Sequence, residues 1–287
     1  MASMSDQHAR SFGAVADAYD RGRPTYPREA AAWLVGADPV TVLELGAGTG
    51  KLTEILVGLG HDVHATDPDE QMLERLRAKL PDVRTSVGTA EEIPAPDASY
   101  DVVVVAQALH WFDHDRALPE IARVLKPGGR IAVVWNARDE RIPWVRRLGR
   151  IIGNSAETRS NDVLVQSPVF GYVEEETVRH WQVVDRESIQ DLVLSRSNVA
   201  TLDEESRAAK LAEVMAFYED FGRGMDGMQL PYEAKCFRAV VVDRPASRPE
   251  GRAEGRPAGT TDGDGTDGSG APVSDGADTD MLLIDFR

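Results

Sequence analysis

Glu44 stands two residues ahead of three glycines, Gly46, Gly48 and Gly50, in the stretch "VLELGAGTGKLT" from Val42 to Thr53. A glycine-rich turn brings a ligand against bare backbone. Dinucleotides, phosphates and S-adenosylmethionine (SAM) are all held by turns of this kind, and spacing separates them. The dinucleotide fingerprint places a glycine three residues after its second one, where this chain has Lys51. A phosphate-gripping G-x-x-x-x-G-K-[ST] loop needs a glycine at Leu45 and a hydroxyl at Leu52. Glu44 would also repel a pyrophosphate, whereas it suits a cationic amino acid head group. Asp67 ends the next apolar run, where a carboxylate can accept hydrogen bonds from ribose hydroxyls. Taken singly, Asp67 reads equally well as a helix N-cap ahead of "PDEQML". A cationic head and a ribose without phosphate describe SAM.

A second cluster is "LHWFDH", residues 109–114. His110 is a candidate to orient a methyl acceptor or to take its proton. Trp111 and Phe112 are candidates to wall the pocket and to meet a sulfonium with an aromatic face. The competing reading packs both rings under the following helix and leaves His110 a local hydrogen bond. Arg138, Arg141 and Trp144 are candidate acceptor contacts, an arginine there suiting a carboxylate; a solvated helix face is the alternative. A carboxylate acceptor needs no general base, because in-line positioning supplies the acceleration.

These residues need elements to hold them. From 40 to 136 short apolar strands alternate with amphipathic helices. Strands are expected at 40–45, 62–67, 83–88, 100–107 and 130–136, with helices at 51–60, 69–80 and 115–125. The valine run "YDVVVVAQ" marks a strand buried on both faces. Such alternation implies a parallel sheet covered on both sides, with ligands beyond the carboxyl ends of its strands. Later, 177–185 and 229–243 read as strands, the last suiting an antiparallel edge position. Segment 137–172 is the expected cap over the pocket mouth.

The chain has 287 residues, of which 42% are hydrophobic, enough to bury a large core. A net charge of −16 argues against broad nucleic-acid or anionic-membrane binding. No apolar run approaches a membrane span, and no secretory signal is expected at the N-terminus. The single cysteine, Cys236, permits no internal disulfide and no cysteine-based zinc site, which fits a cytoplasmic location. From Pro257 to Phe286 there are seven aspartates and no lysine or arginine, so 243–287 is expected to be an acidic disordered tail. Its end, "MLLIDFR", is either a docking strand or a frayed apolar terminus.

The strings "VLELGAGTGKLT", "ATDPDEQML", "GTAEEIP", "YDVVVVAQALHWFD" and "LKPGGRIAVVWN" resemble the successive motifs of the class I SAM-dependent methyltransferases. More narrowly, "FGAVADAYDRGRPTYP", "ALHWF", "SRSNVATL" and "LPYEAKCF" resemble a methyltransferase-11-type subgroup that includes trans-aconitate methyltransferase-like proteins. The resemblance implies an α/β, Rossmann-like fold: a mostly parallel seven-stranded sheet with helices on both faces, a late antiparallel edge strand and a small helical cap. It implies one domain over 1–242 with an N-terminal lid at about 8–30. By position, it places Gly46, Ala47 and Gly48 against the SAM amino acid moiety, with Glu44 acting on the turn and the amino group. It assigns Asp67 to the ribose and Pro68, Met72, Ala90 and Glu91 to the adenine, and puts Gln107 and Ala108 beneath the methionine portion. It sets Tyr19 near SAM, with Arg23 and Tyr26 as further lid candidates. Thr89 departs from the pattern, in which an aspartate reads the adenine amino group; that contact weakens, passes to the Thr89 hydroxyl, or moves to Glu91. The expected activity is methyl transfer from SAM to a small molecule, at a carboxylate or hydroxyl oxygen. The alternatives are a SAM-binding regulator or scaffold, a nicotinamide-dependent oxidoreductase, and a nucleic-acid or protein methyltransferase. The last lacks support from any N/D-P-P-Y/F tetrapeptide, the corresponding site reading "AQAL". Oligomeric state is left open.

Overall fold

The computed structural model describes residues 22–153, 161–195, 199, 202–221 and 227–243. Tyr19, most of the expected lid and all but the first residue of the expected tail lie outside them. Seven strands form one sheet: β1 (Thr41–Leu45), β2 (Asp62–Asp67), β3 (Arg84–Val87), β4 (Tyr100–Ala106), β5 (Leu125–Arg138), β6 (Phe170–Val184) and β7 (Met228–Val241). Their order is β3-β2-β1-β4-β5-β7-β6. The first five run parallel; β7 is antiparallel to both its neighbours, β5 and β6, so β6 runs in the same direction as the first five. After β1 the chain moves outward to β2 and β3, then returns to place β4 on the other side of β1. The β1–β4 boundary is therefore the topological switch, where a ligand crevice opens in such sheets.

Side chains alternate across β4: Val102 and Val104 join one core, Val103 and Val105 the other. The first core is closed by α1 (Arg28–Val35) and α2 (Lys51–Gly58), through Leu34, Leu52 and Leu56. The second is closed by α4 (His114–Val124), through Ala117, Leu118 and Ile121. Between β2 and β3, α3 (Glu70–Lys79) packs Leu73 and Leu76 on Ala47 and Ala65. Asp69 is the N-cap of α3, its side chain accepting from the Gln71 N–H at 2.8 Å. In the last turn of α4, buried Arg123 joins Glu120 and Asp97 and donates to the carbonyls of Ile93 and Ala95, pinning the loop before β4.

The antiparallel edge holds two strands. The final one, β7, lies inside the sheet between β5 and β6, and β6 forms the edge. β6 begins at Phe170, within the segment expected to be cap, and ahead of the expected start at 177. Its sequence explains the difference. "YVEEET" carries three glutamates that suit a strand solvated on its outer side, and they hide the strand's beginning from an apolar-pattern reading. Four further helices follow β5: α5 (Pro143–Ile152), α6 (Asp162–Val165), α7 (Ser188–Leu194) and α8 (Glu204–Phe221), of which α6 packs Leu164 into the α4-side core. α5, α7 and α8 share a separate core of Val145, Leu148, Leu192, Val214 and Phe217, so the helices packed with the expected cap segment include residues well past 172. Among the described residues no helix is long and apolar enough to cross a membrane.

Candidate active site

The three glycines of the turn after β1 answer to three different demands. Gly46 and Gly48 adopt left-handed φ of 69° and 56°, and Gly50, at φ 84°, starts α2. A Cβ at Gly46 would come within 2.7 Å of the Ala108 Cβ, so Gly46 lets β1 and β4 end close together. A Cβ at Gly50 would meet Leu76 at 2.8 Å, so Gly50 admits α3. A Cβ at Gly48 would meet nothing within 4 Å, and Gly48 lines a cavity. Its backbone is the part of the turn left bare toward a ligand.

Two carboxylates flank the turn. Glu44 is 1% exposed, and its Oε2 accepts from the Thr53 hydroxyl at 2.7 Å. Burial pushes its carboxyl up to about 8, against the Thr53 hydrogen bond and reinforced by the charge of Asp67. Such a group is neutral when alone and ionises when a cation arrives. Asp67 Oδ2 accepts from the Gly48 N–H at 2.8 Å and Oδ1 from the Asp69 N–H at 2.9 Å. It therefore braces the glycine turn and leaves the N-cap position to Asp69. Each oxygen keeps a further lone pair for a donor such as a sugar hydroxyl. Burial raises its carboxyl above the usual range.

The cavity beside the turn is lined by Glu44, Gly46, Ala47, Gly48, Lys51 and Gln107. Arg23, Tyr26, Asn136, Arg138, Leu192 and Tyr232 line it as well. Gln107 ends β4 in a left-handed conformation, φ 59°, uncommon for a residue with a side chain and found often at functional sites. Its amide donates to the Asn136 carbonyl at 3.1 Å. Asn136 Nδ2 donates to the Thr25 carbonyl at 3.0 Å, and His180 shares a 3.0 Å hydrogen bond with Asn136 Oδ1. The His180 ring stacks on Tyr232, 5.5 Å between centroids. Arg138, with a side chain 2% exposed, donates to the Gly153 carbonyl at 2.8 Å and tethers the end of α5 to the end of β5. The guanidinium also pairs with Glu140 at 3.4 Å, and among the described residues its buried Nε has no hydrogen-bond partner. Arg23 donates to the Ser195 carbonyl at 2.9 Å.

The structure thus brings together Glu44, Gly46, Ala47, Gly48 and Gln107 of the expected site, with Asp67 bonded to the turn and Ala108 touching Gly46. Ala90 is buried in the α4-side core, Met72 half-buried and Pro68 exposed, all outside the cavity lining. Glu91 accepts from the Asp113 N–H at 2.9 Å, at the start of α4. His110, Trp111 and Phe112 also lie outside the lining. His110 is exposed in the single 3-10 turn Leu109–Trp111, its ring 4.3 Å from Trp111 and 5.4 Å from Trp135. Trp111 is exposed, Phe112 packs on the α4-side core, and Trp144 packs in the cap core. Asn136, Leu192 and Tyr232 carried no prior assignment. Asn136 was visible as a polar residue closing the buried run "IAVVWN"; Tyr232 depends on the β5–β7 register that sets it opposite Arg138.

The residues present fit SAM. They offer a bare glycine backbone, a buried carboxyl that a cation would ionise, and a second carboxylate with spare acceptor capacity on the same turn. Comparison with known proteins agrees. The family profile described as "Methyltransferase domain" matches residues 43–133. An uncharacterized methyltransferase of Mycobacterium tuberculosis is 47% identical over 234 residues, covering 80% of this chain and 96% of that protein. A malonyl-[acyl-carrier protein] O-methyltransferase of Methylococcus capsulatus is 39% identical over 134 residues, covering 42% of this chain and 48% of its own. A solved structure from Anaeromyxobacter dehalogenans, described as a type II methyltransferase, is 27% identical with a TM-score of 0.57, covering 78% of this chain and 99% of that one.

Proposed function

The chain belongs to the SAM-dependent methyltransferases, and from that premise we propose that it methylates an oxygen, carboxylate or hydroxyl, of a small molecule held in the same cavity. The observation that carries this reading is Arg138, buried and lining the cavity, which pairs through one Nη with Glu140 and, among the described residues, keeps an Nε without a hydrogen-bond partner. A buried guanidinium favours an anionic or oxygen-rich partner, and Arg23 adds a second charge on the same wall. The O-methyltransferase of Methylococcus capsulatus supports oxygen as the acceptor atom, and the motif strings near both ends support the narrower likeness to trans-aconitate methyltransferases. The −16 net charge disfavours nucleic acid as acceptor. The proposed location is the cytoplasm.

Bound SAM supplies a methyl group already activated on a sulfonium. The proposed work of the chain is to hold and align. Glu44 ionises against the amino group, Gly46 to Gly48 present backbone, and Asp67 accepts from the ribose. Pro68, Met72, Ala90 and Glu91 border the adenine, and Ala108 supports the methionine portion. Gln107 and Asn136 fix the rim between donor and acceptor. Tyr26, Leu192 and Tyr232 exclude water, which strengthens the electrostatics inside. An anionic acceptor is turned by Arg138 and Arg23, and then no base is required. His110, Trp111, Phe112 and Trp144 are left with supporting roles outside the cavity.

Calorimetric titration with SAM and with NADH is the first check, binding being expected for SAM alone. A SAM-consumption screen over small carboxylic acids and phenols, with mass analysis for one added methyl, is the second. Turnover confined to amines or to protein substrates would sink the oxygen reading.

A further inference from the structure

The outer edge of β6 has no strand beside it among the described residues. From Val173 to Val184 the strand pairs with β7 in unbroken register, without proline, glycine or bulge. Proline and bulges are two of the devices that keep an exposed edge from pairing; the charges of Glu174, Glu175, Glu176 and Arg179 are a third, and they restrict pairing to a register that matches them. Its outward side carries Tyr172, Trp181 and Val183, exposed by 87%, 61% and 57%. Glu175, Thr177 and Arg179 are exposed as well, and share the face of Trp181.

We infer that β6 is the contact surface for a second copy of this chain, the two β6 strands pairing antiparallel about a two-fold axis at Thr177. The argument is charge complementarity along the strand. An axis there sets Glu175 opposite Arg179 of the other copy, twice by symmetry, and Val173 opposite Trp181. Directly opposed side chains lie on one face and interact most strongly. An axis at Glu175 or Glu176 sets glutamate against glutamate. One at Val178 sets Glu175 against Trp181, and one at Arg179 sets arginine against arginine. Only the Thr177 register joins opposite charges on both sides, so sequence and register select one another. In the single chain Arg179 lies 3.6 Å from Glu233 and also acts on Asp139, and Glu175 accepts from Asn161. Both remain at the surface and open to a second contact. Pairing in this way also satisfies the outward backbone groups of β6 and buries Trp181, and it joins the two sheets edge to edge.

Self-association is measured by sedimentation and light scattering across micromolar to submillimolar concentrations, on the full chain. Wild type is expected to dimerise, with the tryptophan emission moving to the blue as it does so. Arg179→Glu replaces two attractive pairs by two repulsive ones and is expected to weaken association by at least about tenfold. The double variant Glu175→Arg/Arg179→Glu restores both pairs and is expected to recover it. Circular dichroism and SAM affinity, unchanged in both variants, confirm that these surface changes leave the fold intact. A wild-type chain that stays monomeric at every concentration overturns the inference. So does a dimer indifferent to Arg179→Glu, or one the double variant fails to rescue. None of these results bears on the methyltransferase reading, which SAM binding tests separately.

Discussion

Replacing Glu44 by glutamine should move stability and binding in opposite directions. The Glu44 carboxyl sits at about 8 in the folded chain against 4.5 when solvated. The folded state therefore holds a proton between those values that the unfolded state has lost. Stability must fall as pH rises through that window. At 1.36 kcal/mol per unit, the full span amounts to about 5 kcal/mol at most, reached above pH 8. Glutamine keeps an oxygen for the Thr53 hydroxyl and removes the titration. Urea unfolding at pH 5, 7 and 9 should therefore show the variant close to wild type at the lowest pH. It should be more stable by about 3–5 kcal/mol at the highest. The same variant cannot offer an anion to the SAM amino group, and its SAM affinity should fall by at least about tenfold. A stability difference between variant and wild type that does not grow with pH would refute the buried, protonated Glu44. Unchanged SAM affinity would refute its role opposite the cation.

The glycine turn separates strain from contact: Gly46→Ala, at φ 69° and 2.7 Å from Ala108, should cost about 2–4 kcal/mol. Gly48→Ala, facing open space, should cost only about 1–2 kcal/mol in unfolding yet weaken SAM binding; equal stability losses would contradict this division. Arg123→Met leaves Glu120 buried without its cation and should destabilise by about 3–5 kcal/mol in denaturant titration. His110→Ala should leave SAM affinity within about twofold and cost about 1 kcal/mol through its aromatic neighbours. A loss of SAM binding there would place His110 in the site after all.

The sequence by itself determined the sheet's first half and the glycine turn with the carboxylates beside it. The β1–turn–α2 unit, Asp67 and the end of β4 are legible because each is a local pattern. A strand, its glycines and the carboxylate closing the next strand are fixed by neighbours in the chain and by the pairing of β1 with β2 and β4. Tertiary structure decided the rest of the cavity wall. Asn136, Arg138, Leu192 and Tyr232 come from β5, α7 and β7, brought together only when β7 inserts between β5 and β6. It also set His110 apart. "LHWF" reads as pocket chemistry from its place after β4, yet the 3-10 turn sends its ring toward Trp135 and outside the cavity lining. The physical difference is range: a backbone turn is specified by torsion preferences over a few residues, whereas a pocket wall is specified by the register of strands far apart in the chain, such as Arg138 opposite Tyr232, which no local spacing records.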